Sequence, residues 1–179
     1  PDWTSSERLD YTILLFSILE KLLEPGEEGS VSTLPGSFKE FHSKDEVPEV
    51  MIRNLNTCAV EIEKLCGSKN LDMHLGMEPE PLGMFETTPE TVSFFEKLIN
   101  FSSDEVLIRK RIGVNYDCCH LAIEFEDAHE GLELLVNSGI RLSKLHLSSA
   151  LKARPTDQNF QKLNDFIEPV YLHQVALGR

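Results

Sequence analysis

The sequence predicts an α/β fold built as a parallel (β/α) barrel, here incomplete. Three observations predict it. Helix and strand signals alternate from end to end, the strand candidates carry one apolar face and one small or polar face, and acidic and imidazole residues recur at strand ends.

The helices are set by 3.6-residue periodicity and by their stop signals. Residues 6 to 23 put Leu9, Ile13, Phe16, Leu19 and Leu23 on one side, after the candidate caps Ser5 and Ser6, and Pro25-Gly26 stops them. Residues 48 to 66 do the same with Met51, Leu55, Cys58, Ile62 and Leu65 and end at Gly67. Thr88-Pro89-Glu90 reads as a helix start, because a hydroxyl caps free N–H groups and proline in the first turn gives up no needed donor. Val92, Phe95 and Ile99 follow it inward, and a shorter helix covers Asp104 to Lys110. Asp127 and Glu130 form a candidate capping box ahead of Leu132, Leu135 and Val136, with Gly139 as the left-handed exit. A last helix carries Phe160, Leu163 and Ile167 before Pro169.

Between them lie five strand candidates: Ser30 to Leu34, Leu71 to Glu78, Ile112 to Asp117, Leu142 to Ser148 and Val170 to Ala176. In the second, Leu71, Met73, Leu75 and Met77 oppose Asp72, His74, Gly76 and Glu78. In the third, Ile112, Val114 and Tyr116 oppose Gly113, Asn115 and Asp117, and in the fourth Leu145 and Leu147 oppose Lys144, His146 and Ser148. An open doubly wound sheet wants its central strands apolar on both faces, whereas a barrel wants one apolar face for the helix ring and one face for the lumen. The pattern therefore favours a TIM-type barrel. A complete one needs eight strands and about 250 residues, so five strands predict an incomplete barrel. The start at Pro1 without methionine and the end at Arg179, just after a strand signal, predict a fragment. Further chain or a second copy, as a homo-oligomer, would then cover the open sheet edge.

Composition narrows the partners. A chain of 179 residues, 41% of them hydrophobic, suffices for a single domain spanning 1–179. Thirty acidic against 17 basic residues, a net charge of -13, repel a phosphate backbone and exclude a generic nucleic-acid binder. No run approaches the ~20 apolar residues that span a bilayer, and Pro1-Asp2-Trp3 does not open a signal peptide. The expectation is a cytoplasmic protein without membrane insertion, with a small-molecule metabolite as its partner. Cys58, Cys66, Cys118 and Cys119 fit no CxxC or His/Cys zinc spacing and read as reduced thiols, Cys118 and Cys119 as small buried thiols rather than additional soft metal ligands.

The chemistry-bearing residues gather where barrel strands end, the face on which barrel enzymes place their sites. Glu78 closes the second strand, Asp117 the third, and His146 lies near the end of the fourth. His120 follows Asp117 by three residues, so one turn aims both at one centre. Glu78, Asp117, His120 and His146 make a candidate site for a divalent metal, with Mn²⁺, Mg²⁺, Co²⁺ and Zn²⁺ all suited to mixed carboxylate and imidazole ligands. The bland alternatives are a solvated Glu78 and an Asp117–His120 ion pair that ties down a loop. His120 and Lys144 are the candidate catalytic residues, with Lys144 also readable as a countercharge to Asp117. His74 reads as lumen packing, Glu124, Glu126 and Asp127 as a solvated capping stretch, and His42 and His129 as surface residues. His173 is a further inward candidate.

Glu78 at one strand end, Asp117-Cys118-Cys119-His120 at the next and Lys144-Leu145-His146-Leu147 after it resemble, in order, the xylose-isomerase-like barrel superfamily of sugar isomerases, epimerases and apurinic endonuclease IV. Pro1-Asp2-Trp3, Ser32-Thr33-Leu34-Pro35, Glu78-Pro79-Glu80-Pro81, Tyr116 to His120, His146 to Leu151 and Tyr171-Leu172-His173-Gln174 resemble more closely its EboE group of metabolite-traffic proteins. That resemblance implies three strands before this sequence and a segment after it carrying a further metal-binding glutamate. It also implies metal ligation by Glu78, Asp117 and His146, and metal or substrate binding by His120. Ser148 and Ser149 stand where many members carry an acidic residue, which speaks against a multi-zinc nuclease centre. Two functions follow as expectations: a divalent-metal-dependent sugar isomerase or epimerase, or a non-catalytic metabolite-binding or traffic protein of the EboE type.

Overall fold

The computed structural model describes residues 1–43, 46–67 and 69–167. Helix α1 (Ser6–Leu22) leads into strand β1 (Glu28–Thr33), followed by α2 (Glu49–Gly67), β2 (Asp72–Met77), α3 (Thr88–Asn100), α4 (Glu105–Arg111), β3 (Ile112–Asp117), α5 (Cys118–Ile123), α6 (Ala128–Asn137), β4 (Arg141–His146) and α7 (Asp157–Leu163). Among the described residues, the four strands are all parallel in the order β1-β2-β3-β4 and curl into a half-barrel, the incomplete TIM-type architecture expected. The fifth strand candidate, Val170 to Ala176, and His173 lie outside the described residues.

The two strand faces separate as their alternation requires. Met73, Leu75 and Met77 of β2 and Ile112, Val114 and Tyr116 of β3 are buried in one core with Leu55, Cys58 and Ile62 of α2, Phe95 and Leu98 of α3 and Ile108 of α4. Each such side chain contributes about 1.5–3 kcal/mol on burial. Register rows carry the other face across the sheet: Glu28 beside Asp72, Ser30 beside His74, Ser32 beside Gly76 and Gly113, and Asp117 beside His146. At mid-height this face is closed by small residues, since a Cβ on Gly76 would lie 3.2 Å from both the Asn115 and the Ser143 Cβ.

β4 carries a register irregularity against β3. Val114 pairs with Leu142 but Asn115 pairs with Lys144, so the register slips by one residue at Ser143. The slip matters for the site, because strict alternation from Arg141 and Ser143 would turn His146 away from the lumen. With it, Ser143 sits between Gly76 and Gly113 and His146 still faces Asp117.

Below the lumen, charges tie the strand starts together. The Arg111 guanidinium, 2% exposed, donates to Asp72 at 3.1 Å, to the Met73 carbonyl at 2.9 Å and to Glu63. Arg141 donates to Asp72 at 2.7 Å and to Glu28 at 2.9 Å. His74 is buried on the lumen face as expected, with Nε2 2.9 Å from Glu28, and its burial, aided by the charge of Arg141, lowers its pKa.

Local departures from expectation have physical reasons. The cap of α3 is Thr87, one residue earlier than expected, in a full capping box with Glu90. Glu126 is no solvated carboxylate but accepts from the Thr88 N–H at 2.7 Å, satisfying a donor of a neighbouring helix. His42 is not a surface residue: its ring is 16% exposed, with Nε2 4.0 Å from Asp2 and no hydrogen bond. Cys118 and Cys119 are half-buried rather than buried, while Cys58 is deep in the core, where burial pushes its thiol up to about 12. The last helix stops at Leu163 and leaves Phe160 and Ile167 exposed. The fourth strand ends at His146, and Leu145 and Leu147 beside it are exposed rather than covered by a helix.

Candidate metal centre at the strand ends

The C-terminal ends of β2, β3 and β4 bring Glu78, Asp117 and His146 together, each offering a ligand atom within 4.8 Å of the others. Ligands 2.0–2.3 Å from a shared cation span about that separation. Glu78 is fixed from the neighbouring strand, because its N–H donates to the Thr33 carbonyl at 2.9 Å. Asp117 ends β3 and caps α5, its carboxylate accepting from the Cys119 N–H at 3.0 Å and from the Ser148 hydroxyl. Helix α5 had no sequence signal beyond that cap. It replaces the expected loop and turns His120 back over the strand end, so that Asp117, Cys119 and His120 also lie within 4.8 Å of one another.

The imidazole–carboxylate contacts cross between elements rather than closing one loop. His146 Nδ1 lies 3.3 Å from Asp117 and 3.9 Å from Glu78, while His120 Nδ1 lies 3.4 Å from Glu78. At that distance the His120 contact lacks hydrogen-bond geometry, and its Nδ1 is buried without a partner. The Asp117–His120 pair considered from the sequence is thus replaced by His120–Glu78 and His146–Asp117 contacts. Glu78 is not a solvated loop carboxylate either, with a side chain only 19% exposed.

Burial works against the ionised carboxylate of Asp117, but hydrogen bonds from Ser148 and Cys119 and the charge of His120 outweigh it and lower the pKa from 3.8 to about 2. The sign follows from linkage: a depressed carboxylate stabilises the fold above its unfolded pKa and loses that contribution as pH falls through the folded one. In chelator, the stability of the wild type should therefore fall more steeply than that of Asp117→Asn between about pH 4 and 2. Urea midpoints across that range check it; parallel curves would contradict it.

Three residues at the mouth were not singled out as site residues from sequence. Asn115 is fully buried and donates from Nδ2 to Glu78, with His146 Nδ1 3.2 Å away. Its signal was the inward parity it shares with Asp117. Ser148 holds Asp117, a role its parity with His146 allowed. Glu80 has its carboxyl raised by burial, with Glu78 and Asp117 adding to the effect and His120 opposing it. Lys144 shares the register row of Asn115 but is exposed and makes no ion pair among the described residues, so it does not act as countercharge to Asp117 here.

No family model matches the chain, and no curated protein matches it significantly. Among solved structures, one described as the structure of L-ribulose 3-epimerase aligns at 11% identity with a TM-score of 0.41. The alignment covers 96% of this chain and 65% of that one, so the chain spans less than two thirds of that epimerase. A likeness at this level says nothing about the chemistry of the strand ends.

The donor set itself fits a divalent cation. Glu78, Asp117 and His146 form one possible ligand group and Asp117, Cys119 and His120 a second that shares Asp117, and the buried His120 Nδ1 has no hydrogen-bond partner. Among the described residues no helix is long and apolar enough to cross a membrane.

Proposed function

We propose that this protein is a divalent-metal-dependent isomerase or epimerase acting on a small polyhydroxylated metabolite of the sugar class, built on a xylose-isomerase-like barrel. The observation that carries this reading is the convergence of Glu78, Asp117 and His146 at three adjacent strand ends, with His120 beside them. Glu78, Asp117 and His146 would hold the cation, and His120 would complete the set or face the substrate. When bound, the cation supplies Lewis acidity toward adjacent substrate oxygens. The Ser148 hydroxyl and the Cys119 N–H keep Asp117 ionised and aimed, so its charge is in place before substrate arrives. His120, with a free Nδ1, is the group of this chain best placed to hold or move a proton there. Lys144, exposed and outside the ligand groups, would take no part in the proton transfer. The net charge of -13 supports a metabolite over nucleic acid as the partner.

A second reading, a non-catalytic metabolite-binding or traffic role of the EboE type, is favoured by one observation. Asn115 donates to Glu78 and lies 3.2 Å from His146 Nδ1, so both groups have a partner within the protein. Metal content by mass spectrometry, on wild type and Glu78→Ala/Asp117→Ala purified without chelator, separates the two. We expect about one equivalent in the wild type and background in the variant, followed by turnover in a screen of sugars and sugar phosphates. Equal, negligible metal in both would sink the metalloenzyme and leave the traffic role.

A further inference from the structure

The geometry points to Asn115 as a positioning residue whose amide stands in for the cation, holding Glu78 and His146 together in the metal-free protein and releasing His146 Nδ1 when a divalent cation binds. This rests on the metal-site reading above and adds how its ligands are held.

Asn115 is fully buried in β3, and its Nδ2 makes two contacts, donating to Glu78 Oε2 and lying 3.2 Å from His146 Nδ1. Glu78 fixes which end of the amide faces the site. Turning it over would set Oδ1 against a carboxylate, acceptor against acceptor. With Nδ2 as the donor, the stand-in role takes His146 Nδ1 as the acceptor of the second N–H, that is, the Nε2–H tautomer. The same nitrogen faces Asp117 at 3.3 Å and Glu78 at 3.9 Å, so it is the atom that a cation shared with those carboxylates would take.

A neutral imidazole nitrogen has one in-plane lone pair. It can accept from Asn115 or bind a metal, not both at once. Glu78, with more lone pairs, can keep the amide while ligating. Binding thus requires the amide to give up His146, and little opposes that movement. Asn115 Oδ1 is buried with no partner, so nothing anchors the far end of the amide. The same amide supplies the metal-free site with the only neutral side-chain donor that reaches both Glu78 and His146 among the described residues.

The test is Mn²⁺ binding by calorimetry on wild type, Asn115→Ala and the similarly shaped Asn115→Leu, with folding checked by circular dichroism. If the amide competes with the cation, removing it should lower the Kd for Mn²⁺ by about tenfold or more. It should also lower the Tm of the metal-free protein, so that the gap between metal-free and Mn²⁺-loaded Tm widens. Histidine ring ¹⁵N spectra of the metal-free protein should show His146 as the Nε2–H tautomer in wild type and lose that preference in both variants. A variant that folds only with Mn²⁺ supports the proposal equally. Unchanged or weaker Mn²⁺ binding in both variants, with binding in the wild type, overturns the stand-in role and leaves the metal site standing. No Mn²⁺ binding in any of the three overturns the metal site and this inference with it.

Discussion

Gly113→Ala is expected to destabilise the protein by at least about 3 kcal/mol, or to prevent folding, although it adds one methyl group. The added Cβ would collide with the Arg141 carbonyl oxygen of the neighbouring strand and lie 2.5 Å from Ser143 Oγ and 2.9 Å from the Arg141 Cβ. A flexible side chain could turn away from such a contact. A strand backbone cannot, because Gly113 and Arg141 are register partners and separating them opens the β3–β4 ladder. That ladder sets Asp117, four residues after Gly113, opposite His146, five residues after Arg141, so the variant should lose metal along with stability. Gly67→Ala is the control: nothing lies within 4 Å of its added Cβ and it ends a helix, so its effect should stay within about 1 kcal/mol. Urea unfolding of both variants checks the contrast. Equal midpoints would mean that the strands accommodate the methyl by sliding.

The same two strands show what the sequence could and could not reveal. β3 was legible to the residue, because Ile112, Val114 and Tyr116 alternate with Gly113, Asn115 and Asp117 and a one-residue slip would reverse every face. The parallel sheet and the curled half-barrel followed from that alternation repeated beside helical segments. β4 was less legible. Its register slip at Ser143 leaves no mark in composition, since Ser143 and Lys144 both suit a strand, and only the close approach of Gly76 and Gly113 explains why the extra residue fits.

For the site, the positions of Glu78, Asp117 and His146 were readable because strand ends and parity determine them. Their pairings were not. They depend on α5, six residues long and held by the Asp117 cap, which falls below the length at which periodicity gives a helix signal. Without α5, His120 had to be paired with Asp117 on spacing alone, and the contact it makes with Glu78 across the strands was out of reach. Asn115 escaped for another reason. A buried amide in a strand looks like any polar lumen residue until its contacts with Glu78 and His146 are known.

Trp3→Ala should cost about 3–5 kcal/mol, the range for deleting a fully buried large aromatic side chain. Trp3 has no exposed surface, and its Nε1 donates to Thr33 Oγ1 at 3.0 Å. Its own N–H donates to the Gly36 carbonyl at 3.0 Å, and its carbonyl accepts from Asn54 of α2 at 2.9 Å. It therefore pins the first residues, the end of β1 and α2 to one another. The consequence reaches the site by a short route: Thr33, the hydrogen-bond partner of the indole, also receives the N–H of Glu78 through its carbonyl. Loosening Thr33 should loosen Glu78, so Trp3→Ala should weaken metal binding in the molecules that remain folded. Trp3→Phe separates packing from this link, since it keeps most of the buried ring but loses the indole donor and should cost about 1–2 kcal/mol. Trp3 is the sole tryptophan of the chain, so the emission of the wild type reports this junction directly. On unfolding in urea, that emission should shift to the red together with the loss of helical circular dichroism. An emission change well before the helical signal would show that the junction opens on its own, and the predicted coupling of Trp3 to global stability would then be wrong.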